Sequence, residues 1–167
     1  MADDGRLDGL ASRLLGLAAR HAEQVVGAEL AGAGAHRWHY AVLATLADHG
    51  PASQAGLGAR TGIHASDLVG LIGELAGRGE VTRTADPADR RRNVVELTDA
   101  GRERLHRLDA VLAGAQDELL APLSPGRRAE LVRLLRVLVE HHGHPEPQGH
   151  PEPGGRDRIS GRASRTG

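Results

Sequence analysis

Between Ser53 and Thr98 the spacing of apolar residues changes twice, and few folds accommodate the result. A short helical stretch at 53–60 opens on Ser53, a residue type suited to capping a helix N-terminus. Thr61-Gly62 reads as a turn. A second helical stretch at 64–78 carries Leu68, Leu71, Ile72 and Leu75 on one side, at the three- and four-residue steps of a half-buried helix. The period then shortens. Residues 80–84 and 93–97 read as strands around a polar loop at 85–92, which holds Asp86-Pro87 and Arg90, Arg91 and Arg92. Thr98 then caps a return to helix.

A short helix, a tight turn and a second helix have helix-turn-helix proportions. The hairpin with a charged tip that follows is the wing of a winged helix. Longer helices flank this module. The first, at 7–30, repeats Leu7, Leu10, Leu14, Leu17, His21 and Val25, and Gly32 and Gly34 end it. The next, at 36–49, offers Trp38, Val42, Leu43 and Leu46 for burial before Gly50-Pro51 stops it. A long helix at 99–120 spaces Leu105, Leu112 and Leu119 seven apart, with Leu108 and Ala115 between them. That seam asks for a second helix to pack on. Pro122 breaks it. Ser124-Pro125 starts a last helix to about His142, with Leu131, Leu134, Leu135 and Leu138 apolar.

The expected fold is mainly α with a small β wing (α+β): a winged helix-turn-helix with a helical region on either side. The expected division is an N-terminal helix at 1–35, a winged helix-turn-helix at 36–98, C-terminal helices at 99–142 and a tail at 143–167. In that tail His144-Pro145-Glu146-Pro147 nearly repeats as His150-Pro151-Glu152-Pro153, and Gly, Ser and Arg follow. Such a composition buries too little apolar surface to fold, so disorder is expected.

Several function classes drop out. The chain has no cysteine, which removes disulfides, thiolate metal sites and cysteine redox sensing. No nucleophile has a visible base partner and no Gly-rich loop carries a phosphate motif, so an enzyme is not expected, nor a cofactor. No apolar run approaches the roughly 20 residues of a membrane span. Met1-Ala2-Asp3-Asp4-Gly5-Arg6 leads into no apolar signal segment. A cytoplasmic location is expected.

The stretch Asp86-Pro87-Ala88-Asp89-Arg90-Arg91-Arg92-Asn93-Val94-Val95-Glu96-Leu97-Thr98-Asp99-Ala100-Gly101 resembles the wing signature of the MarR family of bacterial transcription factors: an Asp-Arg-Arg tip, then Leu-Thr-x-x-Gly at fixed spacing. Upstream, Ser53-Gln54-x-x-Leu57 and Gly62-Ile63 fit in register, and the resemblance covers about 7–142. It implies a homodimer, with the helices of 1–35 and 99–142 as its helical dimerisation region. Its recognition helices would enter neighbouring major grooves of a near-palindromic double-stranded operator, with the wings reaching the minor groove. It also implies that a small, often anionic aromatic effector releases DNA from many members.

On this reading Arg90, Arg91 and Arg92 contact DNA from the wing, where a narrow minor groove concentrates negative potential. The resemblance suggests that Asp89 braces Arg91. Ser53 and Gln54 are placed for phosphates, and Ser66 for a phosphate or a base edge. His64 stands where an N-cap belongs and either contacts a phosphate or caps weakly. Asp67 is expected to complete a capping box. The family position of Trp38, His39 and Tyr40 puts them near an effector pocket, with Arg13 or Arg20 to hold a carboxylate and His21 nearby.

Two observations pull the other way. Arg60, Arg78, Arg83, Arg90, Arg91 and Arg92 are balanced one for one by Asp67, Glu74, Glu80, Asp86, Asp89 and Glu96, so affinity must rest on placement, with acids at the back and arginines at the wing. A winged helix that binds protein is therefore an alternative. The ten histidines raise a second, a metal-responsive regulator, through His36 and His39 on one helix face or through His21 and His106. Against it stand the lack of any tight ligand motif and the position of His141, His142, His144 and His150 at or past the end of the fold. No metal site is assigned.

Overall fold

The computed structural model describes residues 7–85 and 93–142. The chain begins with α1 (Ala11–Gly32), α2 (Arg37–His49) and a two-residue strand β1 (Ala52–Ser53). The helix-turn-helix follows as α3 (Gln54–Thr61) and α4 (Ala65–Gly77). Strands β2 (Val81–Ala85) and β3 (Asn93–Leu97) make the wing, and α5 (Asp99–Leu119) and α6 (Pro125–His142) complete the chain. The fold is a winged helix-turn-helix within a mostly helical chain, as its sequence predicts.

The strand β1 is a departure from the sequence reading. It pairs antiparallel with β3, Ala52 opposite Val95 and Ser53 opposite Val94, so the sheet order is β1-β3-β2. The wing register sets Val81 opposite Leu97 and Ala85 opposite Asn93. Ser53 serves twice: it ends β1, and its Oγ accepts from Gly56 N at 3.1 Å to cap α3. α1 starts at Ala11 rather than residue 7, because Leu10 takes an extended conformation at the cap position.

One core holds the module together. Leu43, Leu57, Leu68, Ile72, Leu75, Val95 and Leu108 are all buried to within 1%. α2 packs on α3, α4 and β3 from behind, α5 packs on α2, and the buried row Leu68, Leu71, Ile72 and Leu75 fixes which side of α4 faces solvent. On α5, Leu108 and Ala115 are buried, and the seam packs against α1 of the same chain.

The last helix is different. No residue of α6 is buried, and Leu134, Leu135 and Leu138 lie 48, 37 and 44% exposed. Leu10, at the cap of α1, and Leu14, Leu15 and Leu17 in its N-terminal half likewise stand exposed to solvent. Among the described residues no helix is long and apolar enough to cross a membrane.

Candidate nucleic-acid interface

The turn between α3 and α4 is tightly specified. Gly62 adopts a left-handed conformation (φ 69°), which costs glycine nothing and other residues dearly. Thr61 Oγ1 donates to Leu57 O at 2.7 Å and accepts from Ile63 N at 3.3 Å. Gln54 Nε2 donates to Ala65 O at 3.3 Å, joining the start of α3 to the start of α4. Gln54 therefore helps set the geometry of the turn, while Ser53 caps the helix before it. Whatever they contact outside the protein, they contact from those positions.

His64 precedes α4, but its side chain makes no cap hydrogen bond. The capping box expected of Asp67 is accordingly absent, because its other half is missing. Asp67 instead stands exposed in the first turn, where a carboxylate suits the positive end of the helix dipole. Ser66 is also exposed there. So is Val69, one turn on, at 50% exposure. Sequence reasoning passed over Val69, although its place outside the buried row was visible from the spacing.

The wing's root explains its sequence signature. Thr98 Oγ1 accepts from Gly101 N at 3.0 Å and faces Gly79 O at 2.7 Å, while Thr98 N donates to Glu80 O at 3.1 Å. A Cβ on Gly101 would collide with the Glu80 carbonyl oxygen and come within 2.7 Å of Leu97 Cδ1. Leu97-Thr98-x-x-Gly101 thus locks the end of the wing to the start of α5, and its fixed spacing reports the fold. The wing-tip residues Asp89, Arg90, Arg91 and Arg92 lie outside the described residues.

Charge is placed unevenly over the module. Glu80 is buried beside Arg104 at 3.7 Å, and the Arg104 guanidinium also donates to Ala33 O, so this acid is neutralised at the back. Glu74 accepts from His39. Asp67 departs from the expected arrangement, because it faces outward on α4. Arg60 and Arg83 are exposed, and Arg83 Nη2 donates to Val69 O at 3.1 Å, which holds a cation against the middle of α4.

A pair of histidines connects α2 to α4. His36 Nδ1 accepts from Trp38 N at 3.3 Å, and His39 Nδ1 accepts from His36 N at 3.2 Å, closing a capping box at the start of α2. His39 Nε2 lies 3.1 Å from Glu74 Oε2. Burial pushes both imidazoles below their ordinary range. Arg78 lowers both further, as do Arg37 for His36 and the neighbouring ring for His39, while Glu74 opposes the shift.

Those three residues bring ligand-capable atoms within 4.8 Å of one another, a grouping that suggests a metal site. The hydrogen bonding argues otherwise. A neutral imidazole has one N–H. With each Nδ1 accepting a backbone N–H, the proton sits on Nε2, where a metal would need a lone pair. His21 and His106 do not join a metal-competent group among the described residues.

An open cleft of about 710 Å³ runs between α1 and the start of α2, lined by Ala22, Glu23, Val26, Gly27, His36, Arg37 and Trp38. Its size is that of a small-molecule site. The Arg37 guanidinium lies 4.4 Å from the Trp38 ring centroid and 3.4 Å from Glu23 Oε1. Of the residues expected at an effector pocket, Trp38 is in this lining. His39 is buried behind it, and Tyr40 turns away to donate to Asp109 at 3.0 Å. Arg13 pairs with Asp8 at 3.0 Å on the exposed side of α1, and Arg20 and His21 are exposed. The cation at the cleft is Arg37, which sequence reasoning did not single out.

The comparisons match this geometry. The sequence model of the MarR family fits residues 33–92. The transcriptional repressor NicR of Pseudomonas putida is 32% identical over 101 residues, 60% of this chain, and the match spans 64% of NicR's own length. A probable transcriptional regulator from Pseudomonas aeruginosa superposes with a TM-score of 0.70 at 33% identity, over 80% of this chain and 99% of that one. The repressor CouR, in a structure bound to a 23-mer DNA duplex, gives a TM-score of 0.74 at 26% identity, over 83% of this chain and 99% of its own. The class is that of winged helix-turn-helix transcriptional regulators. Within it, this chain belongs to the MarR family.

Proposed function

We propose that this chain is a sequence-specific, dimeric DNA-binding repressor acting in the cytoplasm, released from DNA by a small anionic aromatic effector. The observation that carries the reading is the outward face of α4: the helix is held rigidly by the turn and the core, yet presents Ser66, Asp67 and Val69 to solvent beside the wing. CouR, of the same fold, is a repressor seen on a DNA duplex, and NicR is named a repressor. The exposed leucines of α1 and α6 are the surface on which a second copy would pack.

In this reading the cleft beside Trp38 takes the effector. Its carboxylate displaces Glu23 from Arg37, and its ring lies against Trp38 and Val26. Trp38 starts the helix whose His39 reaches Glu74 of α4, so occupancy of the cleft bears on the recognition helix through one hydrogen bond.

A gel-shift titration against the DNA upstream of the chain's own gene, with non-specific competitor and at two salt concentrations, tests the DNA reading. Binding should survive competitor and weaken steeply with salt. Arg91→Ala should lose most of that affinity. Indifference of Arg91→Ala, with a protein partner recovered instead, would identify a protein-binding winged helix, the reading its balanced charge allows.

A further inference from the structure

Within the winged helix-turn-helix, from α2 to β3, Val69 is the one large apolar side chain that stands half-exposed among the described residues. It sits in the middle of the helix that faces outward from the module, and nothing in the core needs it. The strip of α4 directly opposite the core carries one small side chain and otherwise only glycine. Opposite the buried row, the i, i+3 and i+4 spacing lines up Ser66, Gly70, Gly73 and Gly77. A Cβ added at Gly70, Gly73 or Gly77 would meet nothing within 4 Å, so packing does not require these glycines. Glycine in a helix interior is less favourable than alanine. The helix thus gives up stability to keep this face free of side chains.

The same helix holds no Arg, Lys, Asn or Gln anywhere in Ala65–Gly77. Those are the side chains that reach guanine or adenine with paired hydrogen bonds. What remains in reach of base edges is Ser66, Asp67 and the two methyl groups of Val69. Apolar contact with the C5-methyl of thymine is the major-groove feature such a surface can read.

We propose that Val69 determines specificity by packing against thymine methyl groups in the major groove, and that Gly70 and Gly73 let the helix backbone lie close enough for it to do so. The proposal rests on the DNA-binding reading above. Arg83, whose guanidinium holds Val69 O, braces the helix at that point from the wing.

The test begins with an operator selected by the full chain from random DNA. Each thymine is then replaced singly by deoxyuridine, which removes only the methyl. At least one replacement per half-site should weaken wild-type binding about fourfold, the factor that corresponds to about 0.8 kcal/mol for one buried methyl. Val69→Ala should bind the thymine operator several-fold more weakly, with its thermal midpoint unchanged. It should no longer distinguish thymine from deoxyuridine at that position. Gly70→Ala should raise the thermal midpoint while lowering affinity several-fold.

If every deoxyuridine operator binds wild type within twofold, or Val69→Ala stays as sensitive as wild type, methyl readout by Val69 is overturned and the DNA-binding reading stands. If Gly70→Ala binds as well as wild type, the close approach is overturned. Failure of folded protein to enrich any DNA removes the DNA-binding reading itself, and this proposal with it.

Discussion

Leucine plays opposite parts in two regions of this chain. In the helix-turn-helix, Leu57, Leu68 and Leu75 are wholly buried within one protomer, whereas Leu14 on α1 and Leu134 and Leu138 on α6 are 49, 48 and 44% exposed. Both regions show the same three- and four-residue spacing in sequence. Periodicity reports that a helix has an apolar face, and not what covers it. The first region is complete in one chain. The second has the form of half an interface, and the two should respond differently to substitution and to concentration.

The largest effect should come from charging the open face. Leu134→Asp combined with Leu138→Asp removes side chains that each contribute about 1.5–3 kcal/mol when fully buried, and a two-fold dimer loses them twice. Sedimentation should show wild type as a dimer and the variant as a monomer with a lower thermal midpoint. The wild-type midpoint should rise with protein concentration and the variant's should not. A variant that stays dimeric would move the interface elsewhere.

Leu68→Ala attacks the closed region instead. It should cost about 2–5 kcal/mol, as large-to-small changes do in rigid cores. Urea unfolding would measure that loss, and mass in solution should not change below the transition. Gly101→Ala comes next, at about 1–3 kcal/mol. Its new methyl meets the Glu80 carbonyl, part of the backbone, which has little freedom to yield. If Gly101→Ala unfolds at the wild-type urea concentration, the wing root is looser than its hydrogen bonds indicate.

The closed region is also where the sequence was easiest to read. Its apolar row on α4, its caps at Ser53 and Thr98 and its wing strands each depend on neighbours a few residues away, and local spacing encodes those. Contacts made across the fold left no such mark. β1 is only Ala52–Ser53, too short for an alternating pattern, and exists because β3 lies beside it. His39 reads as an effector-pocket residue, or with His36 as a metal ligand, until α4 brings Glu74 to it from 35 residues away. Which arginine borders the cleft depends on how α1 and α2 are turned toward each other, so the sequence pointed to Arg13 and Arg20 and passed over Arg37. Gly101 is visible in the sequence as a motif letter, but its cause, the Glu80 carbonyl, is not.

The smallest predicted effect tests the contact that joins α2 to α4. Burial holds His36 and His39 below the ordinary histidine pKa of about 6.5. The folded chain therefore binds fewer protons than the unfolded one just below that value, and stability must rise with pH through the window. The contribution is fully present above about 6.5 and is lost as pH falls through the lowered folded value. Protonation acts through geometry as well. A second N–H on either ring points at the backbone N–H its Nδ1 had accepted, opening the capping box of α2. Melting midpoints taken between pH 7.5 and 5.5 should fall for wild type and fall less for His36→Asn with His39→Gln. Glu74→Gln, which takes away the carboxylate that opposes the shift, should extend the fall to lower pH. Equal pH dependence in wild type and the double variant would mean that the histidine pair caps the helix without linking its stability to protons.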